Sequence, residues 1–164
     1  MANNPLKKIL IISYFFPPCS LTASARVQSW AKWLYKFGYY PVIISRKWEK
    51  GLKTLKDVSI PSSDGVLHEK HKNYEVYYLP YKGNLRDKIY QKYGEAKFGK
   101  IRQGLTFLEL FFQYTNNKAI PYSNIHSFAK GLIKQGEFEH LIISGNPFNL
   151  FKFGYQLNKK FGIT

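Results

Sequence analysis

The chain has 164 residues, a net charge of +15 and a hydrophobic content of 45%. This length suits one domain with a buried core, and the hydrophobic and aromatic content excludes a disordered chain. No apolar run approaches the roughly 20 residues that a membrane-spanning helix needs.

The single cysteine, Cys19, cannot form an internal disulfide, so we expect a reducing, cytoplasmic compartment. The strong positive charge implies an anionic partner, which can be a nucleic acid, a nucleotide or an acidic membrane surface. Charge alone does not choose among these three partners.

The first elements along the chain predict a βαβ unit. Residues 8–13 predict a strand, and its continuous apolar run Ile9-Leu10-Ile11-Ile12 is typical of a strand buried on both faces of a sheet. A proline-rich aromatic turn, a loop of small residues and an amphipathic helix follow. Gly38 ends this helix, and 41–45 is a second apolar strand. Open sheets of this kind bind ligands at the carboxyl ends of their strands, against a helix N-terminus.

The middle of the chain carries weaker signals. Residues 46–73 are polar and predict an irregular segment, and 74–79 predicts a short strand rich in β-favouring residues. Asn84 is a suitable N-cap for the helical pattern that follows and extends to Phe112. Glycines interrupt that pattern, so it fits one long helix and two helices broken near Gly99 equally well.

The remaining elements alternate between helix and strand. A helix is predicted over 122–135, and 140–144 predicts a buried parallel strand. A turn at 145–147 leads into a helix that ends near Gly162, and the last two residues look like the start of a further strand. This alternation predicts an α/β fold, a Rossmann-like and largely parallel sheet with helices on both faces. We expect one domain over 1–164, truncated before its last strands.

The first unit carries a family resemblance. A lysine-led apolar strand is followed by a Tyr-Phe-x-Pro-Pro motif at 14–18, by small residues, and by Arg26 at the opening of a helix. This arrangement resembles the N-terminal domain of family 4 glycosyltransferases, and most closely their bacterial surface-polysaccharide branch. The similarity is sharp at 8–45 and 139–164, and between them it matches in layout only.

The resemblance implies the two-domain GT-B fold, with this chain as its N-terminal, acceptor-side half. It implies transfer of a sugar from a nucleotide sugar to a glycan acceptor, commonly lipid-linked in this branch, with retention of configuration. The donor-binding C-terminal domain and its Glu-x₇-Glu motif are not among these residues, so we expect the fragment to be inactive alone. The nucleotide sugar is a substrate, and neither a cofactor nor a metal site is expected.

The resemblance assigns the donor diphosphate to the first loop, with Thr22, Ala23, Ser24 and Arg26. Family members have glycines in this loop, whereas Thr22 and Ser24 offer hydroxyl donors, and either is also a suitable N-cap. Arg26 lies where the helix dipole favours an anion. We therefore expect a phosphate, a carboxylate or an internal acidic side chain beside it.

A second loop follows the last predicted strand and would face the acceptor. It contains Ser144, Gly145 and Asn146. The side chains of Ser144 and Asn146 can hydrogen-bond an acceptor hydroxyl, but neither is a convincing general base. A structural cap of the turn is the alternative, and no catalytic residue is assigned.

The helical segment after Asn84 combines basic residues with aromatic and aliphatic ones. Lys88, Lys92, Lys97 and Lys100 would face an anionic membrane, because such a helix is suited to lie in the interface. This would place the protein peripherally on the inner face of the membrane. The alternative is that the apolar stripe packs on the sheet and the lysines are simply solvated.

Two functions from other classes stay open. The charge and the aromatic content also fit a basic nucleic-acid-binding module. Its basic residues are spread over the whole chain, however, and no nucleic-acid-binding motif is present, so nucleic acid is not the expected partner. A non-catalytic Rossmann-like partner domain is the other alternative.

Overall fold

A computed structural model describes residues 5–49, 55–136 and 138–164 of the chain. Within them lie the strands β1 (Lys7–Ser13), β2 (Tyr39–Arg46), β3 (Leu67–Lys70), β4 (Glu75–Leu79) and β5 (His140–Ser144). The α-helices are α1 (Thr22–Trp33), α2 (Leu85–Tyr93), α3 (Gly99–Thr115), α4 (Ser123–Gln135) and α5 (Asn149–Phe161). Short 3₁₀ helices span Leu34–Phe37, Leu55–Ser59 and Asn117–Ala119.

The strands form one sheet in the order β3-β4-β2-β1-β5. Strands β4, β2, β1 and β5 run parallel, and the edge strand β3 runs antiparallel to β4. The chain moves outward from β1 through α1 to β2, and later returns to the other side of β1 to form β5. The predicted α/β fold, Rossmann-like with a largely parallel sheet, is confirmed.

Helices cover both faces of this sheet. On one face Ile11 of β1 packs with Val27 and Ala31, which lie four residues apart on α1. On the other face Leu10 and Ile12 pack with α4 and α5. Alternate side chains of a strand point to opposite faces, so a strand covered on both sides must be apolar at every position. This is the reason for the unbroken apolar run in β1.

The segment that the sequence predicts to be irregular, 46–73, contains more structure than expected. Strand β2 extends to Arg46, which is buried, and Trp48 beyond it is buried as well. The segment also contains β3, whose residues are all exposed. An exposed edge strand has no apolar alternation to reveal it, and His68 instead stacks on Tyr77 of β4, with ring centroids 4.1 Å apart.

The helical pattern after Asn84 is divided into two helices rather than one. Helix α2 ends at Gly94, where φ is +75°, and α3 begins after Phe98, where φ is 58°. Positive φ values are incompatible with a continuing right-handed helix, so the chain turns between these residues. Helix α3 then packs against α2 and against the short helix Asn117–Ala119, and none of its residues is buried.

The last described residues lie beside β5. The N–H of Leu141 donates to the carbonyl of Thr164 at 2.7 Å, and Ile163 is buried. These residues occupy the outer edge of β5, where the sequence predicts a further strand to start.

Helix α5 approaches β5 closely at Gly154, and this contact generates a stability prediction. A Cβ added to Gly154 would lie 2.6 Å from Cγ1 of Ile143. Gly154→Ala should therefore overpack the core and lower the free energy of unfolding by about 1–3 kcal/mol in a urea titration.

The matched control is Gly131→Ala in α4, where an added Cβ meets no atom within 4 Å. Because alanine favours a helix over glycine, this variant should be more stable than the parent by up to about 1 kcal/mol. The packing argument fails if the two variants have equal stability.

Candidate functional site

A cavity of about 840 Å³ lies at the carboxyl ends of β1, β4 and β5. Its inner wall includes Tyr14 and Phe15 after β1, Tyr81 after β4, and Asn146 and Phe148 after β5. Strands β2 and β5 lie on opposite sides of β1, and the connections that reach them run over opposite faces of the sheet. The cavity therefore lies at the topological switch point of an open α/β sheet, where such folds bind their ligands.

Polar side chains from α2 and α3 form the outer wall of the cavity. Arg102, Thr106, Glu109 and Gln113 recur at spacings of four, three and four residues, which places them on one face of α3. The α2 side of the wall is formed by Asn84, Arg86, Asp87 and Tyr90. The two helices thus turn their polar faces toward the cavity.

The base of the inner wall is organised by the buried guanidinium of Arg46, which is 1% exposed. Its Nη1 donates to the hydroxyl of Tyr14 and to the carbonyl of Val58, each at 2.5 Å, and Nη2 donates to the carbonyl of Ile60 at 2.5 Å. The guanidinium carbon lies 3.7 Å from the ring centroid of Tyr81 and 4.1 Å from that of Trp48. Arg46 therefore joins the end of β1, the end of β4 and the segment 58–60.

Tyr81 connects this arginine to α2. Its hydroxyl donates to Oδ2 of Asp87 at 2.5 Å, and burial raises the pKa of Tyr81, so the hydroxyl keeps its proton. Asp87 also closes a capping box: its N–H donates to Oδ1 of Asn84 at 2.8 Å, and its carboxylate accepts the N–H of Asn84 at 3.3 Å. The start of α2 is thereby held against the core.

Ionic contacts then connect α2 to α3. Arg86 lies 3.5 Å from the carboxylate of Asp87 and 4.0 Å from that of Glu109. Burial raises the pKa of the Glu109 carboxyl, and the Arg86 charge opposes this rise. The described lining contains the carboxylates of Asp87, Glu95 and Glu109 but only two arginines, Arg86 and Arg102.

Two donor atoms of the lining residues lack a hydrogen-bond partner in the described part of the chain. Asn84 Nδ2 and Arg102 Nε are buried and have no hydrogen-bond partner among the described residues. Both belong to residues that line the cavity. Buried donors without a partner are costly, so these two atoms reduce the stability of the outer wall.

Of the three residues assigned to the acceptor loop, only Asn146 lines the described part of the cavity. Asn146 is exposed and lines it, with its backbone at φ 103°. Ser144 is buried at the end of β5 and, like Gly145, is not part of the described lining. A Cβ on Gly145 would meet the ring of Phe151 at 2.3 Å, so glycine at this position allows the close approach of α5.

The predicted donor loop lies away from this cavity, because none of Thr22, Ala23, Ser24 and Arg26 lines its described part. The predicted N-cap is wrong: α1 is capped at Leu21 without a side-chain bond. Ser24 is buried, and its hydroxyl donates instead to the carbonyls of Cys19 at 2.7 Å and Leu21 at 2.8 Å. Thr22, Ala23 and Arg26 are exposed.

The internal acidic partner expected for Arg26 is absent from the described residues, among which Arg26 forms no ion pair. Its exposure lets water solvate the guanidinium, so the unfavourable helix dipole needs no compensating acid. The four lysines predicted to face a membrane, Lys88, Lys92, Lys97 and Lys100, are all exposed. They lie on α2, on the turn between the helices and at the start of α3.

The acidic side chains of the cavity were not predicted from the sequence, because ligand-binding residues were expected only in the loops that follow strands. Asp87 and Glu109 enter the site from helices instead. The Asn84-x-x-Asp87 spacing of a capping box was a usable signal for Asp87, and the polar spacing along α3 was one for Glu109. Arg46 gave no local signal, since its burial depends on the rings of Tyr14, Trp48 and Tyr81, which follow the ends of β1, β2 and β4.

Comparisons of the chain with protein-family models, with curated proteins and with solved structures found no significant match.

The bond between Tyr81 and Asp87 can be tested directly. Tyr81→Phe leaves a buried carboxylate without its hydroxyl donor, and bonds to charged groups contribute about 1.5–3 kcal/mol. We expect the free energy of unfolding to fall by this amount in urea. Tyr155→Phe is the control, because Tyr155 is 66% exposed and should change stability by less than about 0.5 kcal/mol. Equal effects of the two substitutions would contradict the proposed link between β4 and α2.

Proposed function

We propose that this chain is the acceptor-side domain of a glycosyltransferase that moves a sugar from a nucleotide sugar to a glycan acceptor. The family resemblance of the first βαβ unit suggests the reaction class. The observation that carries the proposal is the cavity at the switch point of the sheet, because its lining suits a carbohydrate. We place the reaction in the cytoplasm, as the cysteine content and the resemblance imply.

The size and chemistry of the cavity support a sugar ligand. Its volume of about 840 Å³ falls in the range of roughly 300–1,000 Å³ that is usual for small-molecule sites. Carboxylates, guanidinium groups and amides offer acceptors and donors for hydroxyl groups. The rings of Tyr90, Tyr122 and Phe148 add flat apolar surfaces for the C–H faces of a sugar. This combination of planar polar groups and rings fits a neutral, hydroxyl-rich molecule.

The same lining argues against a nucleic acid as the ligand of this site. Three carboxylates and two arginines line the described part of the cavity. A polyanion binds where basic residues outnumber acidic ones, whereas the exposed lysines of α2 and α3 lie outside the cavity. A non-catalytic partner domain would not need a sugar-binding cavity, so carbohydrate binding also separates the proposal from that alternative.

Glu109 is the side chain that we assign to the acceptor hydroxyl. Transfer joins the acceptor oxygen to the anomeric carbon while the nucleotide diphosphate departs, and the acceptor hydroxyl loses its proton. The raised pKa of Glu109 makes it a stronger base than an exposed carboxylate, and Arg86 at 4.0 Å holds it in place. Most of the donor contacts belong to a second domain in the resembled family, so this domain supplies the acceptor side.

Saturation-transfer NMR would test the proposal with methyl glycosides of glucose, galactose and N-acetylglucosamine, and with UDP-glucose and GDP-mannose. We expect at least one glycoside to bind, weak nucleotide-sugar binding, and no sugar transfer by the 164-residue chain. Gln113→Ala should weaken glycoside binding by roughly tenfold, since a hydrogen bond in the cavity is lost.

Gln103→Ala is the matched control, because Gln103 lies on the same helix but is exposed and does not line the cavity. Glycoside binding should be the same in this variant as in the parent. Glycoside binding that is unaffected by Gln113→Ala would place the sugar elsewhere. If no glycoside binds while a single-stranded oligonucleotide binds tightly, the nucleic-acid alternative replaces the proposal.

A further inference from the structure

Helix α3 presents its polar side to the protein and its apolar side to the solvent. The polar face that starts at Arg102 and ends at Gln113 lines the cavity. On the opposite side Phe107, Leu108 and Phe111 are 74%, 52% and 64% exposed. A surface helix of a globular protein has the reverse arrangement, with its apolar stripe turned to the core.

The exposed apolar surface extends along the whole helix. The exposed large apolar residues of α3 outside the cavity lining are Ile101, Phe107, Leu108, Phe111, Phe112 and Tyr114, whereas the exposed Leu110 lines the cavity. None of the 17 residues of α3 is buried, so the apolar stripe does not pack on the sheet. Contiguous apolar patches of this extent mark interaction sites. Something outside the described chain must cover this face.

The charges around this face indicate the chemistry of the partner that would bind to it. Lys88, Lys92, Lys97 and Lys100 are exposed at the α2–α3 turn and beside it, and Lys118 is exposed just beyond the other end of α3. The exposed Glu95 of the same turn lines the cavity, and Glu109, the one acidic residue of α3, lies on the side opposite the apolar face and lines the cavity as well. The outward surface therefore combines bulky apolar side chains with flanking positive charges and carries no acid of α3.

We propose that the outward face of α3 lies in the headgroup region of an anionic lipid bilayer. Phe107, Leu108 and Phe111 enter the boundary between headgroups and acyl chains, and the lysines contact anionic headgroups. Helix α3 is roughly 25 Å long at 1.5 Å per residue, and it lies in the plane of the interface. None of the described helices is long and apolar enough to cross a membrane.

A bilayer fits this face better than a second copy of the chain does. Two copies packed through α3 would bring their lysines together, and each copy carries a net charge of +15, so the charges would repel. An anionic bilayer supplies both an apolar phase and the opposite charge. This inference does not depend on the proposed sugar transfer, because it rests on the outward side of α3 and not on the cavity.

Co-sedimentation of the 164-residue chain with lipid vesicles tests the apolar contact. The parent should pellet with vesicles of phosphatidylcholine and phosphatidylglycerol and bind phosphatidylcholine alone much more weakly. The double variant Phe107→Ser/Phe111→Ser should lower partitioning into anionic vesicles by about tenfold or more. Because both side chains are exposed, circular dichroism and thermal unfolding should show an intact fold.

Phe37→Ser is the matched control, since Phe37 is also 74% exposed but lies on the short helix Leu34–Phe37. Its vesicle binding should equal that of the parent. Equal binding by the parent and the double variant would overturn the proposal. So would a lipid-independent dimer in sedimentation velocity that the double variant abolishes, because a second copy would then cover α3.

A second pair of variants separates a local basic surface from net charge. Replacing Lys88, Lys92, Lys97 and Lys100 by glutamate should lower binding to anionic vesicles by on the order of a hundredfold or more. The control replaces four other exposed lysines by glutamate: Lys32, Lys70, Lys72 and Lys159. It changes the net charge equally and should retain binding within a few-fold. Equal losses in both sets, or equal binding of the parent to neutral vesicles, would overturn the proposal.

Discussion

The buried guanidinium of Arg46 is the interaction on which the site depends. Removing an arginine from water costs several kcal/mol unless its surroundings compensate. Here the compensation comes from the carbonyls of Val58 and Ile60, from the Tyr14 hydroxyl, and from the faces of aromatic rings. Because these groups come from four segments of the chain, at Tyr14, Trp48, 58–60 and Tyr81, satisfying one charge sets the positions of all of them. The ends of β1 and β4 are thereby held in a single arrangement behind the cavity.

Polar contacts connect Arg46 to the helices α2 and α3 of the outer wall. Tyr81 stacks on the guanidinium and donates to Asp87, Asp87 caps α2, and Arg86 beside it lies near Glu109 of α3. Helix α3 contributes no buried residue to the core, so apolar packing does not fix its position. A chain of hydrogen bonds and ion pairs does so instead, and such networks depend on every member being satisfied. The outer wall of the cavity is therefore built differently from the sheet behind it.

The inverted polarity of α3 connects the two surfaces of this wall. The polar face of α3 lines the cavity. The apolar residues then remain on the other side, away from the core. The lipid contact proposed for that side would cover the apolar residues, and the polar face would stay available to the proposed hydroxyl-rich ligand.

Much of the fold could be predicted from local patterns, and much of the site could not. The apolar run of β1, the β-favouring residues of β4 and the helical spacing in α4 are features of short segments, and together with the alternation of helices and strands they indicated the parallel sheet and its two covered faces. The edge strand β3 was missed because its residues are all exposed. The loop at Thr22 follows β1 as predicted, yet Tyr14 and Phe15 line the cavity in its place. The hydrophobic periodicity and the composition of a segment predict its secondary structure and which of its faces is buried. Only the packing of distant segments decides that Arg46 is enclosed by rings, that Glu109 faces inward, and that the apolar side of α3 faces out, because each of these depends on partners far away in the chain.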